Sequence, residues 1–523
     1  MITVSLNEAN FEYDIHSLVK AFFAREEVKV FADPSKINEL EREKTPLFHM
    51  EVSYISGQGK ASDIIRFEIW EPKQEGVHAF DETECAVENG QGIYETEEYV
   101  RKESAQTEVA FDDRKETKNI MKRALYEMLV RYTKSELPWG TLTGIRPTKI
   151  PMAMLERGES EQSIKQYMKD TYCASSEKID LSIQIAGREL ELLKKIDYEE
   201  GYSLYVGIPF CPSICLYCSF SSSPLGVWKN QVDEYLDALE KELEAVAGMC
   251  SKKKLNTIYI GGGTPTTLEP AQLDRLFTKI EENFDFSHLV EYTVEAGRPD
   301  SITQEKLAVI RAHGISRISI NPQTMNQATL DFIGRRHTVE QVVESYDLAR
   351  KMGFDNINMD LILGLPEETI EDVRDTMERM KELAPDNLTV HSLAVKRAAR
   401  LRMFREENQN MQLHNSREMI DLTERYAKEM GMEPYYLYRQ KNMAGNFENV
   451  GYARPGKAGI YNILIMEEKQ SIMAVGAGAS TKYVFDHGAR IERTENVKDI
   501  KNYLERIDEM IKRKQQGFEK YLK

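Results

Sequence analysis

The sequence predicts an α/β protein whose middle third folds as an open, partial (β/α)6 barrel. Three observations carry that expectation. Between residues 204 and 393, short β-type runs alternate with helical stretches, the signature of βαβ units on a parallel sheet. Six such units fit this span at the ~30 residues a βαβ step requires, whereas a complete eightfold barrel takes ~250. Three closely spaced cysteines follow directly on the first of these strands, at the edge where parallel barrels gather their chemistry.

A chain of 523 residues is long enough for about three domains. We divide it into an N-terminal α/β extension (1–198), the barrel (199–394) and a C-terminal α/β domain (395–523). Up to about residue 195 there is no parallel-sheet rhythm. Apolar alternation over 47–55 and 63–70 predicts strands. The acidic stretch 84–109 reads as a loop or solvated hairpin. Ile120, Met121, Leu125, Met128 and Leu129 have helical spacing over 114–135, and a second helix is expected over 176–197. Between these helices, Trp139 to Lys149 (WGTLTGIRPTK) mixes turn residues with two cations. Pro147 would open a helix with Thr143 or Thr148 near its cap; contact with a substrate or an electron donor is the alternative.

The six barrel strands are expected at 204–208, 257–260, 292–295, 317–320, 357–361 and 388–393, with helices over 230–249, 270–283, 303–313, 327–352 and 369–383. From 395 the rhythm breaks. A cationic stretch is followed by an amphipathic helix near 416–430, strand-like runs at 435–438 and 460–466, a glycine-rich turn and a charged helix from 497.

Composition narrows the class. Hydrophobic residues at 41% with 30% charged fit a soluble globular protein. A formal charge of −17 argues against non-specific nucleic-acid binding, which needs cations to neutralise phosphates. No apolar run approaches bilayer length, so no membrane span is expected. The opening MITVSLNEANFEYD has neither a basic nor an apolar signal region. Six cysteines are too few for a disulfide scaffold, so a reduced, cytoplasmic setting with free thiols is expected. The 22 methionines read as adaptable core rather than a metal site.

The chemistry starts at Cys211, Cys215 and Cys218, spaced C-x3-C-x2-C in YVGIPFCPSICLYC. Iron–sulfur clusters normally take four thiolates; three could hold three irons of a cubane and leave the fourth open. Zinc is the competitor, but a closed zinc site wants four N or S ligands, and this loop has no histidine or fourth cysteine. Buried structural cysteines would not account for the clustering beside Pro209 and Pro212. Cys85, Cys173 and Cys250 are scattered and read as small core residues. After the second strand, Gly261 to Thr266 (GGGTPT) is either a tight turn or a cofactor site, since glycines let backbone approach a ligand closely. Glu295, Gln323 and Asp360 stand at or near strand ends, where barrel enzymes keep binding groups; singly, each could be a solvated strand end. Arg335 could partner a carboxylate or be a surface arginine. Lys396, Arg397, Arg400, Arg402 and Arg405 put five cations in ten residues. Arginine forks bind carboxylates in a bidentate manner; an exposed helix face is the alternative.

The cysteine loop, the GGGTPT turn and the strand spacing resemble the radical S-adenosylmethionine (SAM) superfamily. More narrowly, YVGIPFC, VEAG, NPQT, DLILGLP and YARPG are similar to the oxygen-independent coproporphyrinogen III oxidase family, over about residues 200–485. WGTLTGIRPTK and YRQKNM resemble its HemZ-type branch, which extends the likeness over most of the chain. The resemblance implies a partial, TIM-like radical SAM barrel in which Cys211, Cys215 and Cys218 bind a [4Fe–4S] cluster whose open iron chelates SAM. It places Tyr217 beside the adenine, Tyr205 near the cluster, and Gly262, Gly263 and Thr264 against the methionine end. Glu295, Gln323, Arg335, Asp360 and Ala394 match positions lining the sites of one or two SAM molecules. The implied activity is oxidative decarboxylation of the propionates of coproporphyrinogen III to vinyl groups, giving protoporphyrinogen IX for heme biosynthesis. A reduced flavodoxin- or ferredoxin-type protein would donate electrons, and Arg397 and Arg400 would meet propionates. A heme- or tetrapyrrole-binding chaperone, or a radical SAM enzyme with another substrate, are the alternatives. Two departures bear on the choice. Phe220 stands where the oxidases carry a further cysteine, and residues 461–466 (YNILIM) lack the histidine and aromatic pair of the heme-handling HNxxYW.

Overall fold

The computed structural model describes residues 1–24, 26–32, 45–57, 62–73, 99–144, 146–220, 222–394, 400–401, 414–440, 447–486 and 488–522. Cys85, Lys396, Arg397, Arg402 and Arg405 lie outside them. The chain forms two compact units. One comprises Met1–Gly144 with Glu159–Asp180; the other comprises Ile145–Gly158 with Leu181–Lys523.

The first unit holds a five-stranded sheet of β1 (Ile2–Leu6), β2 (Val28–Phe31), β3 (Phe48–Ile55), β4 (Asp63–Pro72) and β5 (Tyr99–Val109), in the order β2-β1-β3-β4-β5. β1 pairs parallel with β2 and β3, so a parallel step occurs where none was expected. All five residues of β1 are buried, which removes the alternation that marks a half-buried strand. Residues 99–109, expected in a loop or hairpin, are an eleven-residue strand antiparallel to β4. Its charged residues belong largely to the exposed positions of that strand. Ile2, Val4 and Leu6 join one core with Met121, Leu125, Met128 and Leu129 of the helix Arg114–Thr133. Asp113 caps that helix by accepting from the Lys115 and Glu116 amides at 3.1 and 3.0 Å.

The second unit is built on an eleven-stranded sheet. Its centre is β6 (Gly201–Ile208), β9 (Lys254–Gly262), β10 (Glu291–Gly297), β11 (Arg317–Ile320), β12 (Asn356–Leu363) and β13 (Asn387–Ser392), each parallel to the next. Two-residue strands β7 (Phe210–Cys211) and β8 (Ser223–Pro224) form a separate ladder after β6. Helices Val232–Cys250, Pro270–Asn283, Gln304–Ala312, Val339–Lys351 and Ile370–Leu383 cross between the central strands. The stretch 327–352, expected as one helix, is two: Gln327–Phe332 and Val339–Lys351. Gly334 at φ 77° ends the first, and Thr338 opens the second through a reciprocal capping box with Gln341. The non-helical link between them reaches the cysteine loop.

Beyond residue 394 the chain supplies strands to both edges of the barrel sheet. β14 (Glu433–Tyr438) and β15 (Asn449–Ala453) extend it antiparallel from β13. β16 (Ser471–Val475) lies parallel to β6, followed by antiparallel β17 (Ser480–Phe485) and β18 (Arg490–Glu495). Residues 460–466, expected as strand-like, belong to the helix Ile460–Glu467. A short apolar run fits either structure. The Glu291 carboxylate decides it by accepting from the Ile460 and Tyr461 amides at 2.5 and 3.4 Å, an anion at a helix N-terminus. Thr148 holds the N-cap position of the helix Lys149–Glu156, but its hydroxyl donates to Glu467 at 3.2 Å instead of capping. Arg146 pairs with Glu468 and donates to the Met466 carbonyl at 3.0 Å. This end of the WGTLTGIRPTK motif therefore packs on the turn after the helix Ile460–Glu467. Among the described residues no helix is long and apolar enough to cross a membrane.

The C-terminal helix Ile507–Tyr521 is fixed by an ion pair with no exposed side-chain surface, Lys514 to Glu242 at 2.7 Å. Glu242 also accepts from the Tyr503 hydroxyl (2.6 Å), the Gly476 amide (2.8 Å) and Asn496 (2.8 Å), while Lys514 donates to the Ala474 carbonyl. Removing one partner of such a pair strands the other charge, which costs about 3–5 kcal/mol. Lys514→Met should therefore lower the urea-unfolding free energy by about that amount; a loss below about 1 kcal/mol would show that the pair does not hold the C-terminal helix.

Candidate active site

The site forms where the first two barrel strands end. The Gly263 and Thr264 amides donate to the Ile208 and Phe210 carbonyls, each at 2.7 Å. A Cβ on Gly263 would sit 2.5 Å from the Phe210 oxygen, so only glycine permits this approach. Gly262 turns the chain at φ 110°. The cysteine loop itself is held from outside. Leu216 donates to the Ile333 carbonyl (2.9 Å), Ser213 Oγ to the Gly334 carbonyl (3.1 Å), and the Leu401 amide to the Leu216 carbonyl (2.7 Å).

A cavity of about 370 Å³ opens against this loop. Cys211, Cys215, Cys218 and Tyr217 line it on the loop side, with Gly262, Gly263 and Thr264 beside them. Glu295, Gln323, Arg335, Asp360 and Ala394 also stand on its wall. Tyr205 does not. Its ring stacks on Tyr259 (centroids 6.3 Å, planes 13°), which itself stacks on Tyr461 at 4.5 Å. Arg400 is exposed and off the wall. Phe220 lines the cavity yet is 73% exposed.

Several lining residues had not been singled out from sequence: Tyr259, Arg298, Asn358, His391, Tyr436, Tyr438 and Asn462. Asn358 lies two residues before Asp360 on β12, the same face by strand alternation, and that spacing was a usable signal. His391 sits on β13 with no such marker. The tyrosines look like ordinary apolar strand residues.

The two carboxyl groups of the cavity are set apart electrostatically. Burial pushes the Glu295 carboxyl up to about 7; Tyr259 and the Gly262 amide pull against this, and Asp360 adds to it. The Tyr259 hydroxyl donates to Glu295 at 2.5 Å. Burial acts the same way on Asp360, but His391, Asn358 and Thr389 outweigh it and hold that carboxyl below its ordinary value. Asn358 donates to Asp360 at 2.8 Å, and His391 Nε2 stands 3.9 Å from it with Nδ1 3.2 Å from the Tyr438 hydroxyl. Gln323 takes a left-handed φ of 71°, held by its amide on the Asp360 carbonyl and its own carbonyl on the Ile362 amide, both 2.9 Å. Arg335 is buried, with Nε 3.2 Å from the Tyr217 hydroxyl and Nη1 2.6 Å from the Asn321 carbonyl.

Cys211, Cys215 and Cys218 are free thiols, and burial raises the first and last above the ordinary thiol value. Among the described residues no three Cys, His, Asp or Glu side chains are already gathered closely enough to hold a metal ion. The fit to an iron–sulfur cluster rests on the donor chemistry. Three thiols share one externally anchored loop and line one cavity, and the loop offers no imidazole to complete a zinc site.

Residues 205–380 match the Radical SAM superfamily. The oxygen-independent coproporphyrinogen-III oxidase-like protein HemZ of Bacillus subtilis is 41% identical over 417 residues, 78% of this chain and 83% of that protein. The heme chaperone HemW of Lactococcus lactis is 34% identical over 53% of this chain and 69% of its own. Among solved structures, coproporphyrinogen III oxidase (HemN) from Escherichia coli is 25% identical over 62% of this chain and 73% of its own, with a TM-score of 0.49. The parallel barrel sheet, the three-cysteine loop and the matched span define the class, a radical SAM protein, for which a [4Fe–4S] cluster and SAM are the cofactors. Within that class the chain belongs to the oxygen-independent coproporphyrinogen-III oxidase-like family.

The raised Glu295 carboxyl has a measurable consequence. The folded protein keeps a proton that the unfolded chain releases from its ordinary value of 4.5, so this group's contribution to stability falls as pH rises from 4.5 to about 7. Glu295→Gln removes that dependence. Between pH 4.5 and 7 the wild type should lose on the order of 3 kcal/mol relative to the variant in urea unfolding. An unchanging difference would show that Glu295 titrates in the folded protein as it does in the unfolded chain.

Proposed function

We propose that the protein is a radical SAM oxidoreductase acting on a tetrapyrrole, an oxygen-independent coproporphyrinogen III oxidase. One observation carries the reading: the three thiols share a cavity with the two separated carboxyl groups and Gln323, at the ends of parallel strands. Cys211, Cys215 and Cys218 would hold the cluster, leaving one iron for SAM. Gly262, Gly263, Thr264, Tyr217, Glu295, Gln323, Arg335, Asp360 and Ala394 would bind one or two SAM molecules, with Tyr205 supporting Tyr259 from behind. When bound, these cofactors would supply a 5′-deoxyadenosyl radical that removes a hydrogen from a propionate side chain, whose carboxylate then leaves as CO2 while one electron passes to an acceptor and a vinyl group remains. The chain's own groups bind, orient and shield. Asp360 offers a fixed negative charge, Glu295 a carboxyl that can change its charge near neutral pH, and Arg335 a buried cation. Arg397 and Arg400 would meet substrate propionates, and a reduced flavodoxin- or ferredoxin-type protein would supply electrons.

The HemW relatives, 33–34% identical over more than two-thirds of their own length, favour a second reading as a heme carrier. Anaerobic incubation of reconstituted protein with SAM, dithionite and coproporphyrinogen III separates the two. The expected outcome is 5′-deoxyadenosine together with vinyl-bearing product. Deoxyadenosine without that product would overturn the substrate, and stoichiometric hemin binding without decarboxylation would establish the carrier. Arg400→Ala should weaken porphyrinogen binding several-fold while SAM cleavage is unchanged; equal binding would remove this arginine from the substrate site.

A further inference from the structure

Arg298 follows directly on β10, where Gly297 turns the chain at φ 71°, and it lines the cavity with only 3% of its surface exposed. Its guanidinium bonds in two opposite directions. Nε and Nη2 form a fork onto the two Asp300 oxygens at 3.0 and 2.7 Å. Nη1 donates to the Ser213 carbonyl at 3.1 Å and to Ser213 Oγ at 2.7 Å. Ser213 lies between Cys211 and Cys215, and its hydroxyl passes its own proton toward the Gly334 carbonyl at 3.1 Å. The ion pair is thus oriented with its buried cation bonded to the cysteine loop and its more exposed anion on the other edge of the guanidinium. The neighbouring His337 imidazole adds no second charge, because burial, then the Arg335 cation, press it down to about 4.

We infer that Arg298 and Asp300 form a positioning dipole, which pins the loop through Ser213 and eases one-electron reduction of a cluster held by that loop. This rests on the cluster reading proposed above. Three thiolates around a core of two positive charges leave one net negative charge, and reduction adds another. A cation held nearby in a poorly solvated setting stabilises the more negative state, and hydrogen bonding and burial are recognised levers on cluster potential. Asp300 tempers that effect from the opposite side of the guanidinium.

The test is a redox titration of the reconstituted full-length protein, poised with dithionite and read by the EPR signal of the reduced cluster. Arg298→Gln should make the cluster at least tenfold harder to reduce, a downward shift of 59 mV or more for one electron. Arg298→Lys should restore most of that loss. Asp300→Asn keeps the cation and removes its counter-charge, so the midpoint should rise. A purely mechanical clamp would be broken by either change, and both would then shift the midpoint in one direction or leave it unmoved. Either of those results, with iron and sulfide content intact, overturns the inference. Wild-type protein that assembles no cluster under the same reconstitution overturns the cluster reading and this inference together.

Discussion

The two 2.7 Å hydrogen bonds from the Gly263 and Thr264 amides to the Ile208 and Phe210 carbonyls determine how the site can form. They draw the turn after β9 against the start of the cysteine loop, and the missing side chain at Gly263 makes that distance possible. Thr264 is thereby brought within 3.7 Å of the Cys211 sulfur. Within the loop the Cys218 amide bonds to the Cys215 carbonyl at 3.2 Å, and the short β7–β8 ladder ties its two ends together. Its shape is imposed by the strand ends, by the link through Ile333 and Gly334, and by Arg298. Positions fixed by packed neighbours are held more tightly than those of a self-supporting surface loop, which is what a site for reactive chemistry requires.

The same logic extends to the sheet. Left alone, β6 and β13 would be the exposed edges of a six-stranded parallel layer, a poor arrangement for unpaired backbone groups. β16 covers the first and β15 the second, both drawn from beyond residue 394. A buried polar chain secures the β6 side, with Ser203 donating to Gln470, Gln470 to Asn256, and Thr257 to Ser203. On the β13 side, β14 carries Tyr436 and Tyr438 to the cavity, where Tyr438 meets His391. This part of the cavity wall is therefore completed by sequence far removed from the barrel repeat.

This division accounts for what could be read in advance. The six parallel strands were legible because each is a short apolar run between helices of ordinary length, and the thiols because their spacing has few structural explanations. The break at Gly334 was obscured by continuous helical spacing on both sides of it. Residues 460–466 were misread because their apolar run lacks a period, and the helix is selected by Glu291, distant in sequence. For residues 99–109 the sequence leaves loop and solvated hairpin open, because charge dominates a strand with one open face. Arg298 and His391 carry no local signature. Their importance comes from what the fold places beside them, Ser213 for the first and Asp360 for the second.

Two carboxyl groups on one cavity wall cannot both ionise cheaply without a cation between them. Here the conflict is resolved by unequal support. Asp360 has Asn358, Thr389 and His391 around it, whereas Glu295 has the Tyr259 hydroxyl and the Gly262 amide in a drier position. The negative charge accordingly resides on Asp360, and Glu295 keeps its proton into the neutral range. On the proposed reading the ligand carries a cationic sulfonium group. Its arrival supplies the missing positive charge, lowers the cost of ionising Glu295 and couples binding to release of a proton. The cations Arg298 and Arg335 stand on the thiol side of the same cavity, so the field across it is polarised before any ligand enters. A ligand with a cationic sulfonium is then favoured by the walls themselves, its positive group toward the acidic strand ends, without a dedicated contact for every atom.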